Sequence, residues 1–380
     1  MTLVKTGILH LRLTNFRSYD FLDLELPSDF QPILLAGHNG AGKTNILEAI
    51  SLLTPGKGLR SVRLSDVARR MGEDVHPLWS VSAEVVSPFG NNKIGTGMVE
   101  GSERRQVRID GKTTSKQAEL GSVFRCLWLT PAQDRLFCGD PAARRRFLDR
   151  IVATFDPNHA NRLADYNAAL KEWNTLVREG RGDNAWLDGL ETQLVENGIA
   201  ISASRLDVVD RISQYLNVTE DASFPAAEIQ LTGLLEKALL SQSAVMVEDA
   251  FMGQLKNARK ICAEGGNLTG PHTADFTVIH RQQNRSADLC STGEQKALLL
   301  SIILAEMRAQ MAEQGHCPLL MLDEVSAHLD DRRQHTLFEI LKTRPTQVWM
   351  TSTNSNLFAD FTGLFTQFDV QESKVMTKVA

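Results

Sequence analysis

Nowhere in the chain do two cysteines fall in a CxxC spacing. Cys126, Cys138, Cys262, Cys290 and Cys317 lie far apart, which argues against a cysteine zinc site or a disulfide framework and suits a reducing cytosol. No uncharged apolar stretch approaches the ~18 residues of a membrane helix, and the opening MTLVKTGILHLRL alternates like a strand instead of forming the unbroken apolar core of a signal peptide. A cytoplasmic protein with no membrane partner is expected. Basic excess is also missing: the net charge is −5, so any nucleic-acid contact must use local basic patches on an acidic body. Long heptad runs, internal repeats and low-complexity linkers are absent too, and with them the signs of an extended coiled coil.

What is present reads as 380 residues of folded α/β chain, 42% hydrophobic and 23% charged. That length is enough for one large domain with an inserted lobe. Residues 8–13 and 20–26 alternate at period two and predict antiparallel strands. Ile33–Ala36 is a short apolar run suited to a buried parallel strand. Alternating runs between 78 and 116, with a hairpin turn at Asp110-Gly111, predict a β-meander. After the apolar run 126–129, Asp140 can cap a helix that has Pro141 at its first position. Helices over 159–179 and 185–217 follow, an antiparallel hairpin up to ~50 Å long, and another helix covers 245–260. Residues 276–280 predict a return to the sheet, and 286–353 alternate helix and strand. The expected organisation is 1–135, a first α/β half with the meander; 136–265, an inserted helical lobe; and 266–380, the second α/β half.

Gly37-His38-Asn39-Gly40-Ala41-Gly42-Lys43-Thr44 fits G-x-x-x-x-G-K-[ST] between a strand and a helix. Its glycines let successive N–H groups face phosphates at a helix start. Lys43 reaches the β/γ-phosphates of ATP, and Thr44 offers its hydroxyl to Mg²⁺. Pro318–Leu322 ends in Asp323-Glu324, two carboxylates that are expensive to bury unless a cation lies beside them. Asp323 is assigned to Mg²⁺, and Glu324 to orienting or deprotonating the attacking water. Ser291-Thr292-Gly293-Glu294-Gln295 opens an apolar helix. Ser291 and Glu294 form a capping box, and the same helix tip is an anion site. The chain already has one phosphate cradle, so this second half-site suits the ATP of another subunit.

These motifs, with the downstream Ser326-Ala327-His328-Leu329-Asp330, resemble the ABC ATPase set in its SMC/Rad50/RecF branch, and within it most nearly the RecF family. Asn15-Phe16-Arg17-Ser18-Tyr19 is similar to that family's N-F-R-x-[YH] element. Asp140–Arg150 is similar to its S-P-x-x-R-R-R-F-L-D stretch, and Cys290–Glu306 to its signature helix. Thr273, Ala274 and Cys290 depart from the family's usual Arg, Asp and Leu.

The resemblance implies an ABC-type head with an inserted α-helical lobe that binds ATP and Mg²⁺, forms an ATP-dependent homodimer, and hydrolyses ATP slowly with DNA stimulation. It further implies binding to single- and double-stranded DNA at gaps and junctions. Hand-off to RecR and RecO for RecA loading, in replication, repair and the SOS response, would follow. Ser291 and Gly293 would bind the partner's γ-phosphate, and Asp330 would sit at the dimer seam. Gln133 is either a Q-loop residue or a turn glutamine. Thr351 or Thr353 would take the place of a switch histidine. Arg17 is either a phosphate or base contact or a surface arginine. Arginine clusters at Arg60, Arg63, Arg69 and Arg70, at Arg104 and Arg105, and at Arg144, Arg145, Arg146 and Arg150 are the candidate DNA contacts, by backbone and shape rather than base reading. A transporter's nucleotide-binding subunit is the alternative, but more than half the chain separates Thr44 from Ser291.

Overall fold

Alternation over the first residues becomes a hairpin of β1 (Gly7–Phe16) and β2 (Tyr19–Glu25), with Leu11 opposite Leu24 and Leu13 opposite Leu22 on its buried face. β3 (Ile33–Ala36) is buried along its whole length and leads into α1 (Lys43–Ser51). Short strands β4 (Arg70–Met71) and β5 (Asp74–Val75) pair with each other. The meander is β6 (Ser80–Ser87), β7 (Gly90–Gly97), β8 (Gln106–Ile109) and β9 (Lys112–Thr114). Asp110 and Gly111, both at positive φ, turn β8 into β9. β10 (Cys126–Leu129) then enters the core. In this computed structural model the residues described are all except 1–4, 72–73, 76–77, 101–104, 115, 181–182, 217–222, 325–328, 355–357, 359–360, 362 and 378–380.

Two compact units result: Met1–Asp134 with Glu220–Phe224 and Ser291–Ala380, and Arg135–Thr219 with Pro225–Cys290. The second unit starts at α2 (Pro141–Phe155), where Asp140 accepts the Ala142 N–H at 2.8 Å. α3 (His159–Glu179) and α4 (Asn184–Leu216) fold back on each other. Trp186 meets Glu172 near the turn, and the buried Trp173 donates to Glu191 further along. Around them pack α5 (Leu234–Leu239) and α6 (Ala244–Ala263), with Leu194, Phe251 and Leu255 in the shared core.

β11 (Ala227–Thr232), β12 (Asp275–His280) and β13 (Arg285–Ser286) form a separate three-stranded sheet in this unit. The expected return to the ATPase sheet at 276–280 is therefore corrected. β12 alternates in burial and pairs antiparallel with β11, so the helical unit runs to Cys290 and not to 265.

In the first unit, α7 (Thr292–Gln314), β14 (Leu319–Leu322), α8 (Asp331–Lys342), β15 (Val348–Ser352), β16 (Thr366–Gln371) and β17 (Lys374–Thr377) complete the chain. Its two six-stranded sheets run β2-β1-β6-β7-β8-β9, antiparallel, and β10-β14-β15-β3-β16-β17, parallel except for β17. β14, β15 and β3 are adjacent and parallel, so their carboxyl ends lie side by side at the end of the sheet where open α/β sheets bind ligands.

Candidate nucleotide-binding site

The phosphate-loop motif sits at the end of β3. Gly42 has φ 111, and a side chain there would meet the Tyr19 hydroxyl at 2.8 Å; that hydroxyl donates to the Gly42 carbonyl. Gly40, at φ 81, faces open space, so the loop backbone stays approachable. Lys43 is buried, and its Nζ donates to the carbonyls of Gly37 at 2.6 Å and His38 at 2.8 Å. Burial lowers its pKa, while the charges of Glu324 and Asp323 work against that shift. Ala41 is buried beneath the loop, whereas His38 and Asn39 lie on its exposed rim.

Thr44 points its hydroxyl at Asp323, 3.0 and 3.1 Å from the two carboxylate oxygens. A hydroxyl and a carboxylate side by side are the hard oxygen donors that Mg²⁺ takes, so the residues fit that ion. Asp323 is fixed by its own amide to the Leu129 carbonyl at 2.8 Å and by the Thr351 hydroxyl at 2.7 Å. Glu324 follows at φ 49, a left-handed conformation that costs a non-glycine residue roughly 1 kcal/mol. Two bonds hold it there. Its N–H donates to Thr351 Oγ1 at 2.8 Å, and its carbonyl accepts from Lys296 Nζ at 3.1 Å. Thr351, 0% exposed, is thus committed to the two acidic residues, while Thr353 lies exposed.

Ser291 caps α7. Its hydroxyl accepts the Glu294 N–H, and its own N–H and hydroxyl both reach Glu294 Oε2, at 2.8 and 2.9 Å. The capping-box reading therefore holds, and Ser291 and Thr292 remain exposed at the helix tip beside the half-buried Gly293. Gln133 turns its amide oxygen back to the Thr130 N–H at 2.9 Å and closes its own turn. Asp330 caps α8 by accepting the Arg333 N–H at 2.9 Å and is exposed; Ser326, Ala327 and His328 lie outside the described residues.

The arginine clusters separate. Arg60, Arg63, Arg70 and Arg146 are exposed, and Arg69 and Arg145 partly so. Arg60 donates to Glu48 and Asn45, Arg69 pairs with Asp20, Arg70 with Asp66, and Arg145 donates to the Ala274 carbonyl. Arg144 is corrected. It is 9% exposed, forms a two-pronged ion pair with Asp275 at 2.8 Å on each arm, and donates to the Gly139 and Phe137 carbonyls. Such a side chain holds α2 against β12 and is not offered to DNA. Arg17 grips Glu48 through both carboxylate oxygens and donates to the Asp66 carbonyl, and so braces α1.

Arg105 is likewise buried away from DNA, and Arg104 lies outside the described residues. Arg105 is 5% exposed and donates to the Leu52, Thr54 and Gly56 carbonyls and to Thr96 Oγ1. Burial brings its pKa down to about 10. It closes the carboxyl end of the α1 segment from the meander. Arg105→Met is expected to cost about 3 kcal/mol of stability, because buried carbonyls lose their donor. Urea unfolding reads this, and an unchanged midpoint would contradict the bracing role.

The sequence reading missed Lys296 and the pairing of Arg17 and Arg60 on Glu48. Lys296 carried one faint signal, a lysine flanked by Ala297–Leu304 on a helix that turns out buried.

With this geometry in place, comparison with known proteins gives consistent results. The RecF/RecN/SMC N terminal domain family matches residues 7–376. A DNA replication and repair protein RecF of Mesorhizobium japonicum is 43% identical, covering 94% of each chain. Its counterpart in Rhizobium rhizogenes is 40% identical, covering 93% of this chain and 94% of its own. Among solved structures, the recombination mediator protein RecF-ATP in the RecFOR pathway superposes with a TM-score of 0.80 at 21% identity, covering 98% of this chain and 99% of that one. An SMC head bound to the C-winged helix domain of ScpA gives 0.56 at 14%, covering 98% and 97%. The structural likenesses carry the fold, that of ABC-type ATPase heads. The relatives do not favour the transporter alternative. Among the described residues no helix is long and apolar enough to cross a membrane.

Proposed function

The chain belongs to the RecF family of DNA replication and repair proteins, and from that premise we propose that it is an ATP-dependent DNA-binding recombination mediator. ATP is bound by Gly37–Thr44, and two copies close on it. Mg²⁺, when bound, neutralises phosphate charge, and Thr44 and Asp323 hold it. Lys43 positions the β/γ-phosphates. Glu324, just past the end of β14, orients the attacking water and receives its proton. Ser291 and Gly293, at the exposed tip of α7, complete the partner's site, with Asp330 at the seam. Hydrolysis is slow because each site needs both copies, and DNA raises it.

The observation that carries this reading is the bonded set Thr44–Asp323–Thr351–Glu324 at the ends of three adjacent parallel strands. The likeness to a mediator solved with ATP supports it. On the same reading the partners are gapped duplex, with its single-/double-strand junctions, and then RecR and RecO, leading to RecA loading.

DNA contact is assigned to Arg60, Arg63, Arg69, Arg70, Arg145 and Arg146, through phosphates. The test is binding to a gapped duplex with ATP across a salt series. Log affinity is expected to fall linearly with log salt, and each arginine-to-alanine change that removes a phosphate contact should flatten the slope by about 0.9. Arg144→Ala should instead lower stability. A flat salt response in the wild type overturns the DNA assignment.

A further inference from the structure

The peptide that carries Glu324 is tied to the signature helix by the lysine that directly follows Ser291–Gln295. Lys296 stands on α7, one and a half turns after Ser291, and is 1% exposed. Its Nζ donates to the Glu324 carbonyl at 3.1 Å and lies 3.8 Å from Asp134 Oδ1, in the turn that contains Gln133. An ammonium buried this deeply is expensive to desolvate, and an apolar side chain would fill the same volume without that cost. The peptide it grips is the one held in the left-handed conformation at φ 49, with Thr351 bonded to the N–H on the other side. Its conformation therefore depends on two donor–acceptor bonds, and one of them arrives from α7.

We propose that Lys296 is a positioning residue through which a copy's signature helix, on clasping the partner's nucleotide, sets the orientation of Glu324 in that copy's own site. The inference rests on the two-copy site proposed above. α7 is one continuous helix from Thr292, so a shift of its capped tip is delivered at Lys296 and hence at the Glu324 carbonyl. Each copy's general base is then aligned only when that copy has gripped its partner's ATP. Turnover at the two sites becomes coupled, while ATP capture by Gly37–Thr44 is left alone.

Lys296→Met keeps the side-chain length and removes the donor. Its kcat is expected to fall between about ten- and a hundredfold, as for a small misplacement of a reacting group. Its affinity for a non-hydrolysable ATP analogue should stay within about twofold of wild type. Asp134→Asn, a milder change at the far end of the lysine, should lower kcat by a few-fold in the same pattern, and it decides the matter if Lys296→Met does not fold. An unchanged kcat, or an analogue affinity lost in step with kcat, overturns the proposal. A wild-type enzyme whose turnover per copy ignores dilution removes the two-copy reading, and this inference with it.

Discussion

Lys43→Ala is expected to abolish ATP capture and, with it, the nucleotide-dependent dimer. The buried ammonium sits inside the loop on the Gly37 and His38 carbonyls, so the cradle is shaped around it. Charge-assisted hydrogen bonds contribute about 1.5–3 kcal/mol each, so loss of two to phosphate oxygens weakens affinity by about a hundredfold or more. The fold should survive, since the carbonyls left behind stand at a loop whose rim reaches solvent. Equilibrium titration with a fluorescent ATP analogue reads the affinity, and sedimentation velocity reads the dimer. A variant that still dimerised normally on ATP would refute the assignment of this loop.

Glu324→Gln should separate binding from hydrolysis. The amide replaces the carboxylate at nearly constant volume, and the backbone remains held by Thr351 and Lys296, so the side chain starts from the same place. What is lost is the proton acceptor. Removal of a positioned general base lowers turnover by about 10²–10⁴-fold, while Thr44, Asp323 and Lys43 still hold the nucleotide. The ATP dimer should therefore persist far longer than in the wild type. Single-turnover hydrolysis at the wild-type rate would take Glu324 out of catalysis.

The parts of the site written in consecutive residues were legible from the sequence: the glycine loop, the acidic pair at a strand end, and the serine–glutamate cap. Each rests on local geometry, and the order of parallel strands then brings the first two together. The supports were not legible, because they join distant positions. Thr351 meets Asp323 and Glu324 across β15, Lys296 reaches Glu324 from α7, and Arg105 reaches back from the meander to the end of α1. Threonine, lysine and arginine carry no pattern that announces such a use.

Arg144 shows a different failure. Three successive arginines read as a charged face, yet helical phase sets Arg144 three and four residues before Phe147 and Leu148, on the buried side of α2. Strand β12 was found, but its partner β11 was not. A short strand with no turn signal gave no reason to build a second sheet inside the helical unit.

The central claim is that every nucleotide is gripped by the loop of one copy and the α7 tip of another. Specific ATPase activity, measured over a hundredfold dilution of the protein at saturating ATP and Mg²⁺, addresses it most directly. The account predicts that activity per copy falls steeply on dilution and that Ser291→Arg, which binds ATP but blocks the tip, stays near background throughout. Activity per copy that remains constant across the series, with Ser291→Arg as active as wild type, would contradict it.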